Sequence, residues 1–137
     1  MKLQIVLELP ELENKIKEYK YILPSDISHI ENGTCTEISL SNILDYIPER
    51  LEYLKLCIQK LRLHGKLSLS GLDILEISKT IVKGQMTIDE INKLLYNNKQ
   101  SIDNIQRIIV FFANLNFTIL EKRINNITYY IKVEKND

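Results

Sequence analysis

The chain has no tryptophan and only four glycines, none of them before Gly33. A loop that brings backbone close to a phosphate needs glycine, so no phosphate-binding loop can sit in the N-terminal quarter. Proline occurs only at Pro10, Pro24 and Pro48, and no proline-rich linker, internal repeat or low-complexity tract is present. Cys35 and Cys57 lack C-x-x-C spacing, and His29 and His64 are the only histidines. That pattern excludes a disulfide framework and a zinc site, so no metal is expected, and the thiols read as small buried groups in a reduced cytosol. Eighteen acidic residues balance eighteen basic ones to zero net charge. A dedicated nucleic-acid binder is thereby excluded, because its affinity comes from Lys and Arg neutralising phosphates. No run approaches the roughly 18 apolar residues of a membrane span. Met1-Lys2 opens directly into a strand pattern, without the apolar core of a signal peptide. A cytoplasmic location without a membrane partner is expected, and the sequons at Asn32, Asn116 and Asn126 then carry no glycan.

What the chain does contain is clearest between Thr36 and Asp73. TEISL and KLSLSG are β-forming runs too short for helices. Between them Leu51, Leu54, Cys57, Ile58 and Leu61 recur at helical spacing and make one apolar stripe. Pro48 suits a first helical turn, and Glu49 and Glu52 favour the positive N-terminal end of the helix. His64-Gly65 is the expected stop, with Lys60 and Arg62 near the negative end. The segment predicts a βαβ unit with parallel strands and a right-handed crossover.

The flanks are read by the same rules. Leu3 to Leu9 is an apolar run bounded by Pro10, and predicts a buried strand. Leu12, Ile16 and Tyr19 predict a short amphipathic helix, and Lys20 to Leu23 a strand. Downstream, Ile74, Ile77, Ser78 and Ile81 predict a helix broken at Lys83-Gly84. Thr87 and Glu90 form a capping-box pattern ahead of Ile91, Leu94 and Leu95. Ser101 introduces a third helix carrying Ile102, Ile105, Ile108, Ile109, Phe112 and Leu115. Phe117 to Lys122 and Ile127 to Val133 predict a hairpin. Asn42, Asp45 and Asp73 fall at carboxyl ends of strands, where open α/β sheets bind ligands and where polar residues also cap helices. Asp26 is either a ligand contact or an N-cap or Asx-turn residue.

The Thr36–Asp73 stretch also resembles the second half of class I S-adenosylmethionine (SAM)-dependent methyltransferases. The residues that carry the resemblance are Thr36-Glu37-Ile38, then Asn42-Ile43-Leu44-Asp45-Tyr46-Ile47, then Lys60 to Leu67 with Gly71-Leu72-Asp73. Glu90 to Tyr96 and Asn116-Phe117 extend it weakly toward the C-terminus. It implies an α/β, reduced Rossmann-like fold: a mostly parallel sheet with a C-terminal antiparallel hairpin and helices on both faces. The implied order is first strand, Thr36 strand, Lys66 strand, final strand, penultimate strand. By the same resemblance Glu8, Asp26, Ile27 and Asn42 stand at cofactor positions, and Asp45 and Asp73 at substrate positions, with SAM as the cofactor.

One part departs from the family pattern. After Val6-Leu7-Glu8 the family has a glycine loop, whereas here Leu9-Pro10-Glu11-Leu12-Glu13 follows. Glu11 and Glu13 would repel the carboxylate of SAM. No stretch supplies the acid that grips the ribose. Residues 1–137 therefore read as one domain, with 1–35 a degenerate cofactor-binding part and 36–137 a preserved scaffold. Three functions follow as expectations. The first is a methyltransferase-like protein with a degenerate SAM site, acting as a binding or assembly module. The second is an active small-molecule or sugar methyltransferase with an atypical pocket. The third is a structural subunit. Ile, Asn and Lys are abundant and Ala113 is the only alanine, the pattern of an AT-rich genome, and a phage origin is in keeping with it. Missing outer strands would leave the first strand or the Lys20 strand as an edge, through which a homodimer is expected to pair.

Overall fold

Six strands, β1 (Lys2–Ile5), β2 (Tyr19–Ile22), β3 (Cys35–Ser41), β4 (Leu61–Leu72), β5 (Phe117–Asn125) and β6 (Thr128–Lys135), appear in the computed structural model, which describes all 137 residues. They form one sheet in the order β2-β1-β3-β4-β6-β5. The first four strands are parallel, and β6 runs antiparallel to β4 and β5. The architecture is thus α/β with a C-terminal antiparallel hairpin, and the five expected strands stand in the expected order. Asn126, at φ 57°, makes the tight hairpin turn between β5 and β6.

The four helices are α1 (Arg50–Lys60), α2 (Ile74–Val82), α3 (Ile88–Tyr96) and α4 (Ile105–Asn114). Each start has a local cause. Glu52 lies in the first turn of α1. The Asp73 side chain accepts from the Leu75 and Glu76 amides to cap α2. Thr87 and Glu90 close the capping box of α3, both hydrogen bonds at 3.2 Å. Asn104, rather than Ser101, caps α4 through the Arg107 amide. Helix α1 stops at Lys60, a turn before His64-Gly65. The Lys135 ammonium donates to the Ile58 and Leu61 carbonyls there, and Leu61 pairs with Cys35 in the sheet. His64, at φ 62°, makes its turn inside an irregular stretch of β4 instead.

Helices α1 and α4 cover one face of the sheet. Leu3, Ile5, Ile38, Leu40, Leu67, Leu69, Ile131 and Val133 project to that face and join Leu54 and Cys57 of α1 and Ile108 and Phe112 of α4 in one buried cluster. Each such aliphatic side chain contributes roughly 1.5–3 kcal/mol on burial. Cys35 and Cys57 are fully buried and unpaired, and burial pushes the Cys57 thiol up to about 12. Neither cysteine is expected to react with iodoacetamide in the folded protein at mildly alkaline pH, whereas both react in urea. Labelling of the native chain, read by mass spectrometry, would contradict this packing.

No helical residue lines the groove on the face opposite α1 and α4. Three expectations give way. The segment after Pro10 forms only a 3-10 turn, Leu12–Asn14, with Leu12 85% exposed, because no apolar sheet surface awaits its side chains. Strand β1 ends at Ile5, and Leu7 and Leu9 are exposed rather than buried. Strand β1 is also no edge, being flanked by β2 and β3; the edges are β2 and β5. No helix is long and apolar enough to cross a membrane.

Candidate functional site

Ligands of open parallel sheets bind beyond the carboxyl ends of the strands, at the crevice where strand order reverses. Here that crevice lies between β1 and β3. Four isoleucines mark the segments around it: Ile5 ends β1, Ile22 ends β2, Ile27 lies in the 3-10 turn Pro24–His29, and Ile43 follows β3. All four are buried in the common core. The Val6 amide donates to the Ile22 carbonyl at 2.9 Å, so the backbone stays paired with β2 beyond the end of β1. Glu8, Glu11 and Glu13 are exposed. Asp26 accepts from the Leu23 amide at 3.3 Å, as a residue capping its own turn. Ile27 is a core side chain, 3% exposed. Asn42 adopts φ 58°, and both its amide and its Oδ1 engage Ser70 Oγ.

Asp45 and Asp73 lie in a second place, a buried polar cluster over the end of β4. Asp45 Oδ1 accepts from Arg50 Nη2 at 2.6 Å, and its Oδ2 accepts from the Leu72 amide at 2.9 Å. Arg50 Nε donates to Ser101 Oγ at 3.0 Å, and its Nη1 lies 3.8 Å from Asp103 Oδ2. Asp103 is held in turn by two parallel bonds from Arg107, at 2.7 and 2.8 Å. Tyr129 Oη accepts from Arg50 Nη1, and burial raises its pKa above the ordinary phenol value. Gly71 admits this packing, since a Cβ there would stand 2.9 Å from Asp45 Oδ1 and 3.0 Å from Tyr129 Oη. Asp73 caps α2 and also accepts from the Ile105 amide at 2.9 Å. The Asp45 and Asp73 carboxylates are 2% exposed, and their oxygens are committed to protein donors. Such a cluster locks α1, α4 and the β4 end together; it offers no free base to a ligand.

A third place is the open sheet face. In register across it, Lys2, Glu37, Lys66 and Glu134 form one row, and Gln4, Ser39, Ser68 and Lys132 the next. Ser41, Ser70, Tyr130 and Arg123 make a third row, with the Arg123 guanidinium stacked 4.2 Å from the Tyr130 ring centroid. A groove of about 280 Å³ runs over the second and third rows and reaches Glu37 of the first, and one of about 230 Å³ adjoins it at Ser70 and Tyr130. None of these face residues other than Asn42, at its rim, was singled out as a site. The signal lay in the alternation of TEISLS and KLSLS, which marks a sheet wet on one side.

The sheet order and the βαβ unit can be set beside solved structures. A SAM-dependent methyltransferase from Mesorhizobium loti superimposes with a TM-score of 0.66 at 10% identity, covering 97% of this chain and 79% of that one. The fold is that of the SAM-dependent methyltransferases. One from Archaeoglobus fulgidus gives a TM-score of 0.62 at 11% identity, over 97% of this chain and 75% of its own. An O-methyltransferase family protein from Burkholderia thailandensis gives 0.61 at 10% identity, and this chain spans only 36% of its length. No family model and no curated protein matches by sequence.

Within this methyltransferase fold the usual cofactor crevice is the one between β1 and β3. The turn after β1 has no glycine, three carboxylates stand on it, and isoleucines rather than polar anchors pack around the strand ends. Asp26, the one acid at an expected cofactor position after β2, is used in its own turn.

Proposed function

We propose that this protein is a methyltransferase-fold binding or assembly module that does not depend on SAM. The observation that carries the reading is the packing of Ile5, Ile22, Ile27 and Ile43 at the strand ends around the cofactor crevice. A cofactor there would also meet Glu8, Glu11 and Glu13 in the turn after β1, whose charges repel a carboxylate. Fold likeness alone does not confer activity, because chemistry resides in the site.

Titration with SAM and with S-adenosylhomocysteine by calorimetry tests this. The expected result at millimolar ligand is no saturable heat and no rise in melting temperature. Saturable binding that Asp26→Ala weakens would instead support an active methyltransferase with an atypical pocket around Asp26, Asn42 and Asp73.

A further inference from the structure

We propose that the open face of the sheet is the interface of a homodimer, with a second copy of this chain packed face to face upon it. The proposal names the surface and the partner for the assembly role above, and so rests on that reading. It begins from an anomaly. Parallel sheets are covered on both faces, because crossover helices lie on each side. Here strands β1 to β4 are parallel, yet one face is left to serines and charged residues. A buried apolar helix does not match that chemistry, since four serine hydroxyls and six charged side chains would lose water without partners.

A second copy does match it. Place a two-fold axis between the two sheets, parallel to the strands and above the β3–β4 boundary. The axis exchanges left and right across the sheet but keeps the height along the strands. β3 then lies over β4 of the partner subunit, and β1 over its β6. In the first row the signs run plus, minus, plus, minus: Lys2, Glu37, Lys66, Glu134. Reversed, the row is its own complement. Glu37 faces Lys66 of the partner subunit, and Lys2 faces Glu134 of the partner subunit. In the second row Ser39 faces Ser68 of the partner subunit, so small side chains meet at the centre, where two sheets must approach. This is an isologous contact: each pair occurs twice, once in each half.

In the free chain Lys2 pairs with Glu18, Glu37 accepts from Tyr19 Oη and Glu134 lies 3.6 Å from His64. These contacts exchange for the partner's on docking, while the remaining residues of the first two rows are free. Lys66 and Lys132 make no salt bridge within the chain, and the Ser39, Ser68 and Gln4 side chains have no hydrogen-bond partner in it. The area is also of the right order. Lys15 and Ile16 lie against Tyr21 of β2 on this face, so the open part is β1, β3, β4 and β6. Four strands at about 4.8 Å spacing and about 20 Å of length offer roughly 400 Å² per protomer, or roughly 800 Å² in total. That is the size of a weak, reversible association, and its charged, polar composition makes it sensitive to salt. The edges offer less, because β2 has only four residues and β5 carries Glu121, Lys122 and Arg123.

Sedimentation equilibrium over a range of concentrations tests the proposal on the intact chain. The expected result is a monomer–dimer equilibrium that weakens as salt rises. Lys66→Glu sets like charges opposite each other twice and is expected to raise the dissociation constant about tenfold or more. Glu37→Lys does the same, and the double exchange Glu37→Lys with Lys66→Glu restores the dimer. Lys55→Glu, on the exposed side of α1, changes nothing, and circular dichroism reports that every variant is folded. A monomer at all concentrations overturns the proposal. So does a dimer indifferent to the charge exchanges. SAM titration reads ligand heat and sedimentation reads mass, so failure of the module reading and failure of the dimer are seen separately.

Discussion

Asp45→Ala is expected to cost about 3–5 kcal/mol of folding stability, the loss typical when one member of a buried ion pair is removed. Arg50 is the reason. Its guanidinium is 4% exposed, and the 2.6 Å bond from Nη2 to Asp45 is its shortest contact. Asp103, at 3.8 Å, also answers to Arg107 and cannot fully replace the lost charge. The Leu72 amide loses its acceptor as well. Domain stabilities of about 5–15 kcal/mol leave little margin for such a loss. Asp45→Asn keeps the shape and the acceptor for Leu72 and is expected to lose less. Urea denaturation of the three proteins decides the matter. If Asp45→Ala lost under about 1 kcal/mol, the pair would be behaving like a solvent-exposed one.

Phe112→Ala is the second large effect, also about 3–5 kcal/mol. Phe112 is fully buried on α4, and its ring meets Phe111 edge-on and Phe117 at a tilt, both at 5.2 Å between centroids. It joins α4 to the first residue of β5, so truncation opens a void that sheet and helix cannot both collapse into. Val110, two residues earlier and 57% exposed, serves as the contrast. Val110→Ala is expected to change stability by no more than about 0.5 kcal/mol. Equal losses at the two positions would contradict the packing of α4 described above.

Much of this architecture was legible in the residues. The βαβ unit from Thr36 to Asp73 needs only local pattern, as do the Thr87–Glu90 capping box and the C-terminal hairpin. The end of α1 was not legible, because Lys135, far along the chain, supplies the cap that stops it. The helix expected after Pro10 failed for a tertiary reason. Leu12 and Ile16 have an amphipathic spacing, but the sheet face above them presents Gln4, Glu37 and serines. Asp45 and Asp73 were placed correctly at strand ends, but their partners were not visible. Arg50 reads as an ordinary charged helix residue until Asp103 is brought beside it. The one-sided character of the sheet is written in TEISLS and KLSLS, where polar and apolar residues alternate.

The cap shared by Asp73 has a further consequence. The chain leaves the sheet at Asp73 and comes back at Asp103, where the two residues form a parallel bridge and the Ile74 amide donates to the Asp103 carbonyl at 2.9 Å. Residues 74–99, including α2 and α3, form a detour that leaves from this point and is tied back beside it, where the Gln100 and Ser101 amides donate to the Asp45 carbonyl. The entropy of closing such a detour grows only with the logarithm of its length. The entropy of closure therefore places little restriction on how many residues lie between the fully buried Ile77 of α2 and the return of the chain at Gln100.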